Sequence, residues 1–210
     1  YFLYFVSGIT IPIALLALYN TYYFGLPWVT GYGCESYINT GVQCAEGYYN
    51  PLFEGLGGLL ISPSRGLFIY TPFLLFSVWG AVVIWRKKNH LDEYSLLLRY
   101  LLFGVVIYLL ITSKWMAWFG GTTYGPRMLV DIAPILMLMF IPIVRNGLFK
   151  NKLLLILLVL LGSFSVLVQF VGVIYCDYSW NYLYQPLDDS HAWLWDWKHG
   201  QLFYYLGKLF

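Results

Sequence analysis

The sequence predicts an all-α membrane protein of about five transmembrane helices, with a long external loop and an aromatic interfacial C-terminal tail. Three observations lead there. Hydrophobic residues make up 60% of the 210 and charged ones only 10%, against roughly 25% charged in soluble domains. Mean hydropathy is +0.67. Apolar runs of bilayer-crossing length alternate with short basic clusters, and aromatics reach 21%, many of them crowded near the C-terminus. The net charge of +2 is too small and too dispersed for a nucleic-acid partner.

In chain order, residues 1–19 form the first span, with Pro12 inside it; a membrane helix tolerates proline when neighbouring groups satisfy the freed carbonyl. The external loop, residues 20–62, is polar, tyrosine-rich and long enough to suggest function or a small folded unit. Its end, Leu52 to Ile61, is short and glycine-rich and reads as an interfacial or re-entrant helix. Further spans are expected at 63–85, 95–112, 126–144 and 153–175. The bundle is thus 1–175, and 176–210 is read as an external interfacial tail, because Trp193, Trp195, Trp197, Tyr204 and Tyr205 suit the headgroup layer. Arg86, Lys87, Lys88, Arg145, Lys150 and Lys152 assign the loops after the second and fourth spans to the cytoplasm. The Asn20 loop, the Lys114 loop and the tail are then external.

Cysteine usage is sparse: Cys34, Cys44 and Cys176, with no metal-ligand spacing. A Cys34–Cys44 disulfide is compatible with an oxidising exterior. No P-loop, dinucleotide glycine motif or Ser/His/Asp arrangement is present, and His90, His191 and His199 read as surface residues. The chain opens inside an apolar run without an initiator methionine, and is expected to be the later portion of a larger polytopic protein, with the upstream part as its first partner.

Chemistry concentrates at two stretches of shared grammar. In Ser62-Pro63-Ser64-Arg65-Gly66, Ser62 is a plausible N-cap, Pro63 takes the first helical position and Arg65 falls in the first turn. In Tyr124-Gly125-Pro126-Arg127, Pro126 begins a helix and Arg127 follows in its first turn. A cation there meets the positive end of the helix dipole and calls for an anion. Asp131, four residues on, could pair with Arg127 on one helical face. The alternative is a bound phosphate or carboxylate held by the guanidinium and the free amides together. On the expected topology both arginines lie at the external face, where they could share a lipid phosphate or simply snorkel to headgroups. Glu54, ahead of Gly55-Leu56-Gly57-Gly58, stands out among the external acids, which also include Glu35, Glu46 and Asp131. The predicted substrate-binding set is therefore Arg65, Arg127, Ser62, Ser64, Tyr124, Glu54 and Asp131, with no catalytic residue and no metal ligand assigned.

The stretches Leu59–Pro72 and Trp118–Leu129, together with Phe24-Gly25-Leu26-Pro27 and Gly31-Tyr32, resemble segments of polytopic bacterial glycosyltransferases of the C-type fold, the dolichyl-phosphate-mannose mannosyltransferase type. The resemblance covers roughly residues 1–145. It implies a multi-pass enzyme of the bacterial inner or plasma membrane that takes a sugar from a polyprenyl-phosphate donor at the extracytoplasmic face. It places the catalytic acid, and any divalent metal it helps bind, in an external loop upstream of Tyr1, so the 210 residues alone are expected to be inactive. A non-catalytic protein that binds, moves or scaffolds lipid-linked saccharides would use the same phosphate seat. A channel fits less well, since no ionisable residue sits near the middle of a span.

Overall fold

The computed structural model describes residues 2–29, 47–86, 93–147, 150–184 and 191–209, and all regular structure among them is helical. Cys34, Cys44, Glu35, Glu46 and His90 lie outside the described residues, so the expected disulfide does too. Two compact units divide the chain, Tyr1–Tyr48 and Tyr49–Phe210.

The first unit holds α1, Phe2–Phe24, with Pro12 in its interior. Its apolar side chains, among them Ile11, Leu15, Leu16 and Leu18, are largely exposed, as suits a helix whose solvent is lipid. Polar groups are satisfied locally: the Thr10 and Thr21 hydroxyls donate to the carbonyls of Val6 and Ala17. Asn20 Nδ2 donates to Pro27 O at 3.1 Å and folds the chain back at the helix end.

In the second unit, α2 (Leu52–Ile61) packs on α5 (Glu93–Lys114) through a glycine face. A Cβ on Gly55 would collide with the Ser113 backbone, and one on Gly58 with the indole of Trp118. Asn50 Nδ2 donates to Ser113 O at 3.0 Å and pins the approach. The helix expected over Leu52 to Ile61 therefore exists, and it is docked on α5.

The stretch expected as a second span is broken. Helix α3 covers only Leu67–Tyr70; Thr71 leaves helical geometry at φ −137° because Pro72 follows. A 3-10 turn, Pro72–Leu74, then leads into α4, Leu75–Arg86. The fourth expected span is likewise composite: a 3-10 segment, Arg127–Ile132, precedes α6 (Ala133–Leu138) and α7 (Phe140–Arg145). Helix α8, Lys152–Tyr175, runs unbroken from an Asn151 cap whose side chain accepts the amides of Leu153 and Leu154.

Among the described residues, three helical segments are found long and apolar enough to cross a membrane: Glu93–Lys114, Arg127–Arg145 and Lys152–Tyr175. The Pro72–Arg86 run is shorter, below the roughly 20 residues that a span requires.

Residues 176–210, expected to lie in the interface as a tail, are folded into the second unit. They form α9 (Ser179–Tyr184), a 3-10 turn Ala192–Trp195, α10 (Gln201–Leu206) and a final turn Gly207–Leu209. Trp180, Leu194, Leu202 and Tyr205 are fully buried. Part of the tail's aromatic density packs inward, where Tyr70, Tyr124 and Tyr205 form a chain of edge-on rings 5.1 and 5.8 Å apart, while Tyr182, Trp197 and Phe203 stay exposed.

Candidate functional site

Ser62 ends α2 as its C-cap, its amide donating to Gly58 O, and no helix begins at Pro63. Ser62–Gly66 is instead a single closed turn, with Gly66 N donating to Ser62 O at 2.7 Å. Both serines are buried. Ser62 Oγ donates to Leu194 O at 2.6 Å, and Ser64 Oγ accepts from Gln201 N at 3.3 Å, so each is spent on the C-terminal segment.

Arg65 is 1% exposed. Its guanidinium has five N–H donors, and five acceptors surround it. Nε donates to Phe119 O at 2.9 Å; Nη1 to Ser64 O at 2.8 Å and to Gln201 Oε1; Nη2 to Gly121 O at 3.0 Å and to Asn181 Oδ1 at 3.4 Å. Trp180 and Trp193 flank it with ring centroids 5.5 and 5.8 Å from Cζ. Burial pulls the guanidinium down to about 10, which leaves it a cation at neutral pH. No carboxylate is among these partners; the charge is spread over carbonyl and amide dipoles. No donor remains to point at a ligand, so the seat shared by two arginines that the sequence suggested is not the geometry present.

Gln201, which the sequence analysis did not single out, is the hub of this arrangement. Its Oε1 accepts from Arg65, from Tyr70 OH at 3.2 Å and from Gly125 N at 3.1 Å, and its Nε2 donates to Thr123 O at 2.9 Å. The approach to Gly125 is close: it sits at φ +64°, and a Cβ there would press on the Tyr70 ring. One buried amide thus ties Arg65 to the loop that carries Arg127.

Arg127 has the opposite setting. It is exposed, and its guanidinium has no hydrogen bond or ion pair among the described residues. The expected pair with Asp131 is absent. That expectation assumed an α-helix, whereas Arg127–Ile132 is a 3-10 helix, in which residues four apart are rotated about a third of a turn from each other. Asp131 is exposed and accepts from Tyr108 OH at 3.2 Å instead. The helix mouth is also partly self-satisfied, since the amides of Arg127 and Leu129 donate to Gly125 O and Pro126 O. What Arg127 does have is space. It borders a cavity of about 420 Å³ with Leu67, Thr71, Tyr124, Val130 and Gln169. Tyr124 forms one wall, its OH donating to Val168 O at 2.9 Å, while burial pushes the phenol upward. Gln169 is exposed on α8. Among the described residues Arg127 is the one charged residue in the wall.

Glu54 lies elsewhere. Its Oε1 is 2.6 Å from His191 Nδ1, linking the first turn of α2 to the C-terminal segment, and the imidazole stands edge-on to Trp118 and Phe119 at 5.8 and 5.3 Å. His191, read as a surface residue, is therefore half-buried and partnered. Of the seven predicted residues, Arg127 and Tyr124 share the cavity, Ser62, Ser64 and Arg65 share the buried network behind it, and Glu54 and Asp131 belong to neither. Among the described residues no three His, Cys, Asp or Glu side chains cluster as a metal site would require. No family model, curated protein or solved structure matches the chain.

Proposed function

We propose that this chain is the later portion of a membrane glycosyltransferase, and that the groove at Arg127 receives the phosphate of a polyprenyl-phosphate-linked sugar at the extracytoplasmic face. One observation carries the reading: an exposed guanidinium without a partner among the described residues, lining a largely apolar groove of about 420 Å³. A lipid phosphate requires that combination, a cation for the headgroup and an apolar wall for the prenyl chain. Charge-assisted hydrogen bonds gain strength where water is scarce. In this reading Gln169 and Thr123, which line the groove, meet sugar or diphosphate oxygens, and Tyr124 and Val130 meet carbon. Arg65 acts from behind as a positioning residue, holding the Phe119–Gly121 loop by two of its donors. The five-span topology, in which α3 and the Pro72–Arg86 run cross together as one composite span, and the assignment of Arg86 and Arg145 to the cytoplasmic side belong to this same proposal.

The test is binding of a short-chain polyprenyl phosphate to the purified full chain in detergent. Arg127→Gln is expected to weaken it by about tenfold, the loss of one charge-assisted contact, with thermal stability unchanged. Binding that survives both Arg127→Gln and Arg127→Glu would remove the groove as the phosphate seat. The second reading, a non-catalytic carrier or scaffold for lipid-linked saccharides, uses the same cation and largely apolar wall for binding alone. It predicts the same binding with no sugar transfer from the longer protein.

A further inference from the structure

A second cavity, of about 460 Å³, lies at the opposite end of the same unit, lined by Ile84 and Arg86 at the end of α4, Tyr94 and Ser95 at the start of α5, and Arg145 and Asn146 at the end of α7. From this arrangement we infer a site for the headgroup of an anionic phospholipid, with Arg86 and Arg145 holding its phosphate.

Four features of the molecule support it. Both guanidiniums are exposed, and neither is hydrogen-bonded or ion-paired among the described residues, so up to ten N–H donors are uncommitted around one cavity. Arg145 is held in place without consuming those donors, because its Cζ stacks 4.7 Å from the centre of the Tyr94 ring. The local backbone charge has also been arranged for an anion. Two helices end here, and their carbonyls would repel a phosphate. Arg99 covers one set by donating to Ile84 O at 2.9 Å and to Trp85 O at 3.3 Å, and the amides of Asn146 and Gly147 close the other on Pro142 O and Val144 O. Glu93, the acidic residue of the first turn of α5, does not line the cavity. Finally, Val83, Ile84 and Pro142 make the remaining wall, which suits the glycerol and first acyl carbons of a lipid better than a freely diffusing anion. Basic notches between spanning helices at the positively charged face are a recurring mode of anionic headgroup recognition.

The site is independent of the Arg127 groove, and one experiment separates the two. The full chain, purified in mild detergent, is titrated with phosphatidylglycerol, with phosphatidylcholine and with inorganic phosphate, and retained ligand is counted by native mass spectrometry. We expect phosphatidylglycerol to be retained about tenfold over phosphatidylcholine. Arg86→Gln with Arg145→Gln should abolish that preference, and Arg127→Gln should leave it intact. If the double variant does not stay monodisperse, Arg86→Lys with Arg145→Lys keeps both charges but loses the forked geometry and should lower retention severalfold. Retention unchanged in either double variant overturns the site. Saturation by inorganic phosphate with no preference among lipids overturns the lipid assignment.

Discussion

Arg65 and Arg127 share one sequence grammar, a proline one or two positions ahead and an apolar helix behind, yet the fold gives them opposite tasks. Arg65 is enclosed, flanked by two indoles and saturated by five acceptors from four separate stretches of chain. Arg127, exposed beside an open groove, has its guanidinium uncommitted among the described residues. Much of the difference comes from the C-terminal segment, which delivers Gln201, Asn181, Trp180 and Trp193 to the first arginine and, among the described residues, no hydrogen-bond partner to the second. A motif that looks like a ligand seat becomes a structural clamp once the rest of the chain fills it.

The contrast can be broken most forcefully at Arg65. Arg65→Ala would strand five carbonyl and amide acceptors inside the unit and leave a void between Trp180 and Trp193. A loss of about 3–5 kcal/mol is expected, since several buried acceptors lose their donors at about 1–3 kcal/mol each, partly offset by removal of a buried charge. Thermal unfolding in detergent reads it, and a melting temperature equal to the parent's would mean that the clamp is not what holds the segment. Gln201→Ala comes next, at about 2–3 kcal/mol, because it orphans the Gly125 amide, the Thr123 carbonyl and one Arg65 donor together. Proteolysis near the C-terminus should rise with it. Arg127→Gln, the matching change at the exposed arginine, should move stability by less than about 0.5 kcal/mol, leaving its effect on lipid phosphate alone.

The smallest effect is expected of pH. The Ser179 hydroxyl, Lys208 and the Ser179 amide hold the exposed Asp177 carboxyl well below its ordinary 3.8, while Asp177 raises Lys208 in turn. A depressed carboxylate contributes its stability in full above the unfolded value and loses it as pH falls below about 3.8 toward the folded one. Melts between pH 8 and pH 5 should therefore coincide as far as this pair is concerned. A decline should open only below about pH 4, and Asp177→Asn should flatten it slightly, since solvent screens so exposed a pair.

Composition and hydropathy made the membrane class and the long helices at 93–114 and 152–175 legible, because apolar runs of that length have one stable solution in lipid. Residues 63–85 read as one span, although proline removes a donor and restrains the residue before it, so the break at Thr71–Pro72 had a local signal that the apolar run outweighed. The 3-10 geometry of Arg127–Ile132 was not. No local signal told it from an α-turn, and the Arg127–Asp131 pairing depended on that distinction. Nor was the role of residues 176–210. Tryptophan and tyrosine suit a headgroup layer and a packed interior equally, and only their neighbours decide between the two.

By itself, then, the sequence determined where apolar length, proline and charge lie along the chain, which sets the kind of solvent the protein meets and the positions at which its helices end. The tertiary structure alone decided which of two like arginines is consumed and which is available. Hydrogen-bond saturation depends on acceptors arriving from distant stretches: Gln201 lies 136 residues from Arg65, and no local pattern encodes that meeting.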